Sequence, residues 1–173
     1  MENVSWNDAQ DFIAALNAFE GATRYALPTE AQWEYAARAG SATAFANGPI
    51  RQTADGPDPV LDSMGWYHCN SQVDYSPNWG GRGTHPVAQK EPNAWGLYDV
   101  HGNVGEWVDD WYDSFPMTPV VDPTGPSSGT LKIMRGGAFF SYALGCRSAY
   151  RHSTKPDSRY FSYGLRLALL PGH

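Results

Sequence analysis

Apolar residues recur at three- and four-residue spacing in two places near the start of the chain. Trp6, Ala9, Phe12, Ile13, Leu16 and Phe19 form the first stripe, which is the period of an amphipathic helix. Ser5 precedes it with Asp8 three residues on, a capping-box pattern, and Gly21 supplies a stop. Thr29 followed by Gln32 opens a second helix through Trp33, Tyr35, Ala36 and Ala37, ended by Gly40. Beyond Gly40 the helical period vanishes. From 41 to 130 turn signals crowd the chain: Asn47-Gly48-Pro49, Asp55-Gly56-Pro57, Trp79-Gly80-Gly81 and Asp122-Pro123-Thr124-Gly125-Pro126. The pieces between them read as too short for helices. Leu131 to Arg135 and Tyr163 to Leu169 run apolar or alternate, and read as strands. The pattern predicts one α+β domain over 1–173, with helices early and irregular and β structure late.

Composition sharpens this picture. Gly and Pro total 31 of 173 residues, charged residues are 17% and aromatics 14%, with seven Trp. Such a chain holds itself by aromatic packing and specified turns more than by long regular elements. A net charge of −6 without a Lys/Arg cluster disfavours a nucleic-acid or anionic-membrane surface. No run approaches 18 apolar residues, so membrane insertion is not expected. The start shows no basic-then-apolar leader, making the cytoplasm the default expectation. Cys69 and Cys146 form no CxxC pair and read as free thiols, a long-range bridge being the alternative.

Five ordered strings carry a further signal. They are Val4-Ser5-Trp6 with Asp8-Ala9, Leu27 to Arg38 (LPTEAQWEYAAR), Pro92 to Trp107 (PNAWGLYDVHGNVGEW), Arg135-Gly136-Gly137, and Gly164-Leu165-Arg166-Leu167-Ala168. Together they resemble the formylglycine-generating enzyme (sulfatase-modifying factor) family over essentially the whole chain. The resemblance implies a C-type-lectin-like fold of α+β class, with two early helices and a small twisted antiparallel sheet under long loops. The family includes copper-dependent oxidases that convert a sulfatase cysteine to formylglycine, iron enzymes, and variable proteins of diversity-generating retroelements, so fold alone does not choose among functions.

The oxidase reading needs two thiolates for soft Cu(I). In the family both cysteines follow the Arg-Gly-Gly motif; here Ser141 stands at the first position and Cys146 is the only thiol of the segment. No copper is therefore expected. The five histidines (68, 85, 101, 152, 173) show no metal-ligand spacing, and His85 and His101 read as structural.

The binding reading rests on residues 139–163, FFSYALGCRSAYRHSTKPDSRYFSY, with four Tyr, three Phe and five Ser in 25 positions. Tyr and Ser dominate paratopes because they pair rigid contact area with adaptable hydrogen bonds. Consecutive aromatics cannot all face one side of an alternating chain, so some must be displayed; the bland alternative is that the segment is core. The resemblance to retroelement variable proteins adds that diversified codons there exclude Lys, Glu, Gln, Met and Trp. Only Lys155 breaks that alphabet here, against 24 such residues in 1–138. The expected displayed set is Phe140, Ser141, Tyr142, Ala143, Leu144, Tyr150, His152, Ser153, Thr154, Ser158, Tyr160, Phe161, Ser162 and Tyr163, facing a protein or other macromolecular ligand. The motif residues between them are expected to be buried.

The resemblance also implies a structural Ca²⁺ loop, with Asp99 and Glu106 side chains and the Gly102 and Val104 carbonyls as ligands, hard oxygens suited to that ion. The alternative is that Asp99 caps a turn while Glu106 pairs with a late arginine. Gly105 departs from the family's usual Trp, which predicts open space beside Glu106 and Trp107. Arg135, Arg147, Arg151, Arg159 and Arg166 are expected to hold loops through ion pairs and carbonyl contacts.

Overall fold

The computed structural model describes residues 2–75 and 80–170. Trp79 of the expected Trp79-Gly80-Gly81 turn, and the last three residues, lie outside them. Helix α1 spans Trp6–Glu20, and its capping box is present. Ser5 Oγ accepts the Asp8 N–H at 3.1 Å, and Asp8 accepts the Ser5 N–H at 2.8 Å. Gly21 ends the helix in the left-handed conformation, φ 68°, donating its N–H to the Ala18 carbonyl. The stripe is narrower than the periodicity implies. Ala9 and Ile13 are buried against Leu27, Trp107 and Met134, whereas Phe19 is 89% exposed.

Helix α2, Glu30–Arg38, opens on the Thr29/Gln32 capping box and closes on Ala39, φ 46°, one residue before the expected Gly40. Trp33 and Ala37 pack on Val100, Val108 and Ile133. A third, one-turn helix, α3 at Leu61–Met64, was not anticipated in the turn-rich stretch. Asp58 builds it: its buried carboxylate accepts the amides of Val60 and Leu61 on one oxygen and those of Arg51 and Gln52 on the other. Leu61 and Met64 then join Phe45 and Tyr67 in a second core cluster.

The central sheet contains strands β2 (Gly105–Trp111), β3 (Lys132–Arg135), β4 (His152–Thr154) and β5 (Tyr163–Leu165), in the order β4-β3-β2-β5. Strand β2 lies where turns alone were expected. Its inner positions include buried Glu106 and Asp110 beside Trp107 and Val108, so no apolar alternation announces it. The sheet is mixed, a correction to the antiparallel expectation: β2 and β3 are antiparallel, but β2 and β5 run parallel, with Gly105 opposite Tyr163 and Trp107 opposite Leu165. The expected Tyr163–Leu169 strand is also divided. After Leu165 the chain turns so that Arg166 reaches Glu106, and β6 (Ala168–Leu169) pairs instead with β1 (Tyr25–Ala26). Among the described residues no helix is long and apolar enough to cross a membrane.

Candidate functional site

The late arginines fasten the 139–163 segment to the helices. Arg135, on β3, is fully buried. One terminal nitrogen meets the Tyr150 carbonyl at 2.8 Å and Glu30 at 3.3 Å; the other meets Glu34 and, at 2.6 Å, the Ser148 carbonyl. Arg151 forms a two-pronged pair with Glu30, at 2.6 and 2.8 Å, sharing Oε1 with Arg135. Arg159 pairs with Asp8 of the α1 capping box at 2.6 and 2.5 Å, which holds that carboxyl well below the usual range. Arg166 grips Glu106 at 2.7 and 3.0 Å and the Tyr98 carbonyl at 2.8 Å. The expected loop-holding role is thus filled by four of the five. Arg147 differs, reaching only the neighbouring Leu144 carbonyl at the surface.

Held this way, three stretches of the segment converge on one cleft of about 390 Å³. Phe140 and Ser141 come from the turn after Gly137, Tyr150 and His152 from the approach to β4 and its first residue, and Tyr160, Ser162 and Tyr163 from the approach to β5 and its first residue. Its floor is Gly105 of β2 with Met134 of β3. Gly105 thus borders the cleft, although the space expected beside Glu106 and Trp107 is largely taken up by its neighbours. A Cβ at Gly105 would meet the Met134 methyl at 3.1 Å and, beyond it, the Ser162 carbonyl at 3.7 Å.

The remaining expected positions divide. Tyr142 and Leu144 are exposed beside the cleft, and Tyr142 packs on His68 at 4.4 Å between ring centroids. Phe161 lies in the ring cluster with Tyr160 and Phe140, at 4.0 and 5.9 Å. Ser153 pairs with Ile133 on β3, and Thr154 donates to Ser158 at 3.2 Å, away from the cleft. Two expectations of display fail. Ala143 opens a one-turn 3-10 helix (Ala143–Cys146) that turns its small side chain into the Phe45 cluster, leaving it 2% exposed. Ser162 is 1% exposed because its carbonyl accepts the Gly105 amide at 2.8 Å, drawing the residue against β2. Nor are all intervening motif residues buried: Ala149, Asp157 and Arg159 are exposed. Sequence reasoning missed Gly105, Met134, Arg135, Gly137 and Ala138 as lining residues of the cleft. The departure at Gly105 was the signal; Met134 carried none.

Most other chemistry-bearing groups have structural partners. Cys146 and Cys69 are both free. Burial of Cys146 pushes its thiol up to about 12, which disfavours the thiolate that soft metals require. Ser141 Oγ accepts the Ala138 amide at 3.0 Å. His101 is a fixed strut, with Nε2 accepting the Ala46 amide at 3.1 Å and Nδ1 meeting the Cys146 carbonyl at 2.8 Å. In the Asp99–Glu106 loop, Glu106 accepts from Arg166 and from the Trp33 indole at 2.7 Å, while Asp99 Oδ2 accepts the Ala88 amide at 2.8 Å. Asp99 Oδ1 is buried without a hydrogen-bond partner. Among the described residues no group of three His, Cys, Asp or Glu side chains is gathered for a metal.

Residues 1–170 match the sulfatase-modifying factor enzyme 1-like domain family. The formylglycine-generating enzyme of Streptomyces coelicolor is 37% identical over 176 residues, covering 96% of this chain and 51% of that protein. The chain thus spans about half the length of that relative. Treponema denticola variable protein 1 superposes with a TM-score of 0.82 at 28% identity, over 99% of this chain and 71% of its own. PvdO from Pseudomonas aeruginosa superposes at 0.76 with 31% identity, over 97% and 60% respectively. These structures share the α+β, C-type-lectin-like architecture.

Proposed function

From the premise that the chain belongs to the sulfatase-modifying factor enzyme 1-like domain family, we propose that it is a ligand-binding module whose recognition surface is the 139–163 segment. One observation carries this reading: side chains from three separated stretches, fixed by buried ion pairs, converge on a single aromatic-walled cleft. Such a rigid frame under a variable-looking surface is what a paratope requires. The partner is a protein or other macromolecule rather than nucleic acid, because the chain is acidic overall. The likeness to Treponema denticola variable protein 1 supports the same reading.

The relatives named formylglycine-generating enzyme favour a second reading, copper-dependent oxidation of a cysteine. The side chains argue against it, since one expected thiol is Ser141 and the other is a buried, weakly acidic Cys146. Incubated with copper and a sulfatase-motif peptide, the full chain is expected to leave the peptide cysteine unchanged by mass spectrometry. Multiple turnovers to formylglycine would overturn the binding reading.

A structural Ca²⁺ in the Asp99–Glu106 loop belongs to the same proposal. The unpartnered Asp99 Oδ1 supports it, and the Gly102 and Val104 carbonyls would complete an oxygen set. Glu106 would be shared with Arg166, which already neutralises it. Calcium at a hundredfold excess over its dissociation constant is expected to stabilise the fold by about 2.7 kcal/mol, read as a higher melting temperature. Asp99→Gly, which tolerates the left-handed φ of 57° there, should abolish the increment. A melting temperature indifferent to calcium and chelator returns the loop to turn scaffolding. Glu106→Ala is a poor probe, because it strands Arg166 and the Trp33 indole.

A further inference from the structure

We propose that the cleft receives one neutral aromatic ring, and that Gly105 sets how deeply the ring enters. The inference rests on the binding reading above and names its ligand chemistry. Gly105 is not among the positive-φ residues, so the backbone does not demand glycine there. Its missing side chain acts on space instead. A Cβ would point at Met134, the Ser162 carbonyl and the Gly137 carbonyl, and all three residues border the cleft. The floor is thus the bare backbone of β2 beside a thioether, a soft apolar surface that favours aromatic contact.

The walls continue the argument. Tyr160 and Tyr163 lie 5.6 Å apart between ring centroids, and Tyr163 meets Trp107 edge-on at 5.5 Å. A guest ring between them and Phe140 extends an existing aromatic series, in the offset and edge-to-face geometries that such rings prefer. Charge narrows the class further. Arg135 is the one charged residue lining the cleft among those described, and Glu30 and Glu34 already neutralise it. His152 stands exposed at the rim, and partial desolvation lowers its pKa, away from the charged form. Neither sign of charge is left over for a ligand. A volume of about 390 Å³ lies in the range of small-ligand pockets and accommodates a ring with its polar neck at the hydroxyl-bearing rim.

The test titrates the isotope-labelled full chain with indole, cyclohexanol and benzoate, following the Gly105 and Ser162 amide signals by NMR. Indole should shift both saturably, with cyclohexanol roughly tenfold weaker and benzoate also weaker than indole. Gly105→Ala should reduce indole affinity several-fold, and Gly105→Phe, whose Cβ already meets the Met134 methyl at 3.1 Å, should remove binding. If Gly105→Phe does not fold, the graded loss in Gly105→Ala still decides. Indole that moves neither amide, cyclohexanol that equals indole, or indifference to substitution at Gly105 overturns the proposal. Random peptides displayed on phage separate the sources. Selected peptides rich in Trp, Tyr or Phe that fail on Gly105→Phe assign the ring to a protein partner; indole binding without such enrichment assigns it to a free aromatic compound. Peptides that require Tyr142 yet ignore Gly105→Phe leave the binding surface standing and overturn the ring-accepting cleft. Absence of both peptide and indole binding removes both readings.

Discussion

Replacing Arg135 with Met is expected to lower the unfolding free energy by about 3–5 kcal/mol, the usual consequence of removing one partner from a buried ion pair. The side chain is wholly withdrawn from water and serves two carboxylates and two carbonyls. Methionine fills much of the volume but satisfies none of these acceptors. Arg151 and Arg38 still pair with Glu30 and Glu34, which places the loss toward the lower end of that range. The stranded Ser148 and Tyr150 carbonyls add to it, since an unpaired buried acceptor costs about 1–3 kcal/mol. Urea denaturation measures the loss directly. Arg147→Ala is the control: its guanidinium reaches only the Leu144 carbonyl at the surface, so a change within about 0.5 kcal/mol is expected. Equal losses in the two variants would show that the Arg135 network does not hold the segment.

The second large effect is acid sensitivity from His101. Burial first, then the Arg38 charge, push its pKa down to about 4, against a hydrogen bond to Cys146 that pulls upward. The geometry gives the reason. Nε2 must accept the Ala46 amide, so a proton there would face an N–H. In the unfolded chain the ring titrates near the ordinary value of about 6.5. Between those two values the unfolded state binds the extra proton and the folded state does not, so stability falls as pH falls. Full stability is kept above about pH 6.5, and the loss reaches about 3 kcal/mol by pH 4. Burial lowers the pKa of His68, His85 and His152 as well, so these act in the same direction. The His101 share is therefore read by difference, as the slope of stability against pH between 6.5 and 4.5 that disappears in His101→Gln. An unchanged slope in that variant would contradict the buried, neutral ring.

Both helices with side-chain caps were legible because their signals are local. Ser5 with Asp8, and Thr29 with Gln32, specify N-termini within four residues, and the structure contains both boxes. Strand β2 was illegible for the opposite reason. Its Glu106 and Asp110 become tolerable inside only when Arg166, Trp33 and the Glu30 amide arrive from 60 to 80 positions away. Helix α3 differs: its organiser Asp58 collects amides only 2 to 7 residues away, a local signal hidden among the turn residues of that stretch. At the site, composition singled out the segment that surrounds the cleft. It could not say that Ala143 and Ser162 turn inward, because a 3-10 turn and a parallel strand pairing decide that. Nor could it find Met134, an ordinary strand residue until the space above Gly105 is known.

The placement of β2 between β3 and β5 has an engineering meaning. Two strand spacings separate its neighbours, so the chain leaves β3 at Arg135, returns once to the outer edge of β3 as β4, and joins β2 at Tyr163 about 10 Å from where it left. Whatever runs between is a handle bolted to one plate. Its length is weakly constrained, since doubling a loop adds only about 0.6 kcal/mol of closure cost. What must survive are the rivets: the β4–β3 pairing, the Ser148 and Tyr150 carbonyls on Arg135, Arg151 to Glu30, the Pro156 carbonyl to the Asn7 amide, and Arg159 to Asp8. The stretch from 136 to 162 is in that sense a cassette, exchangeable between relatives that keep those fastenings.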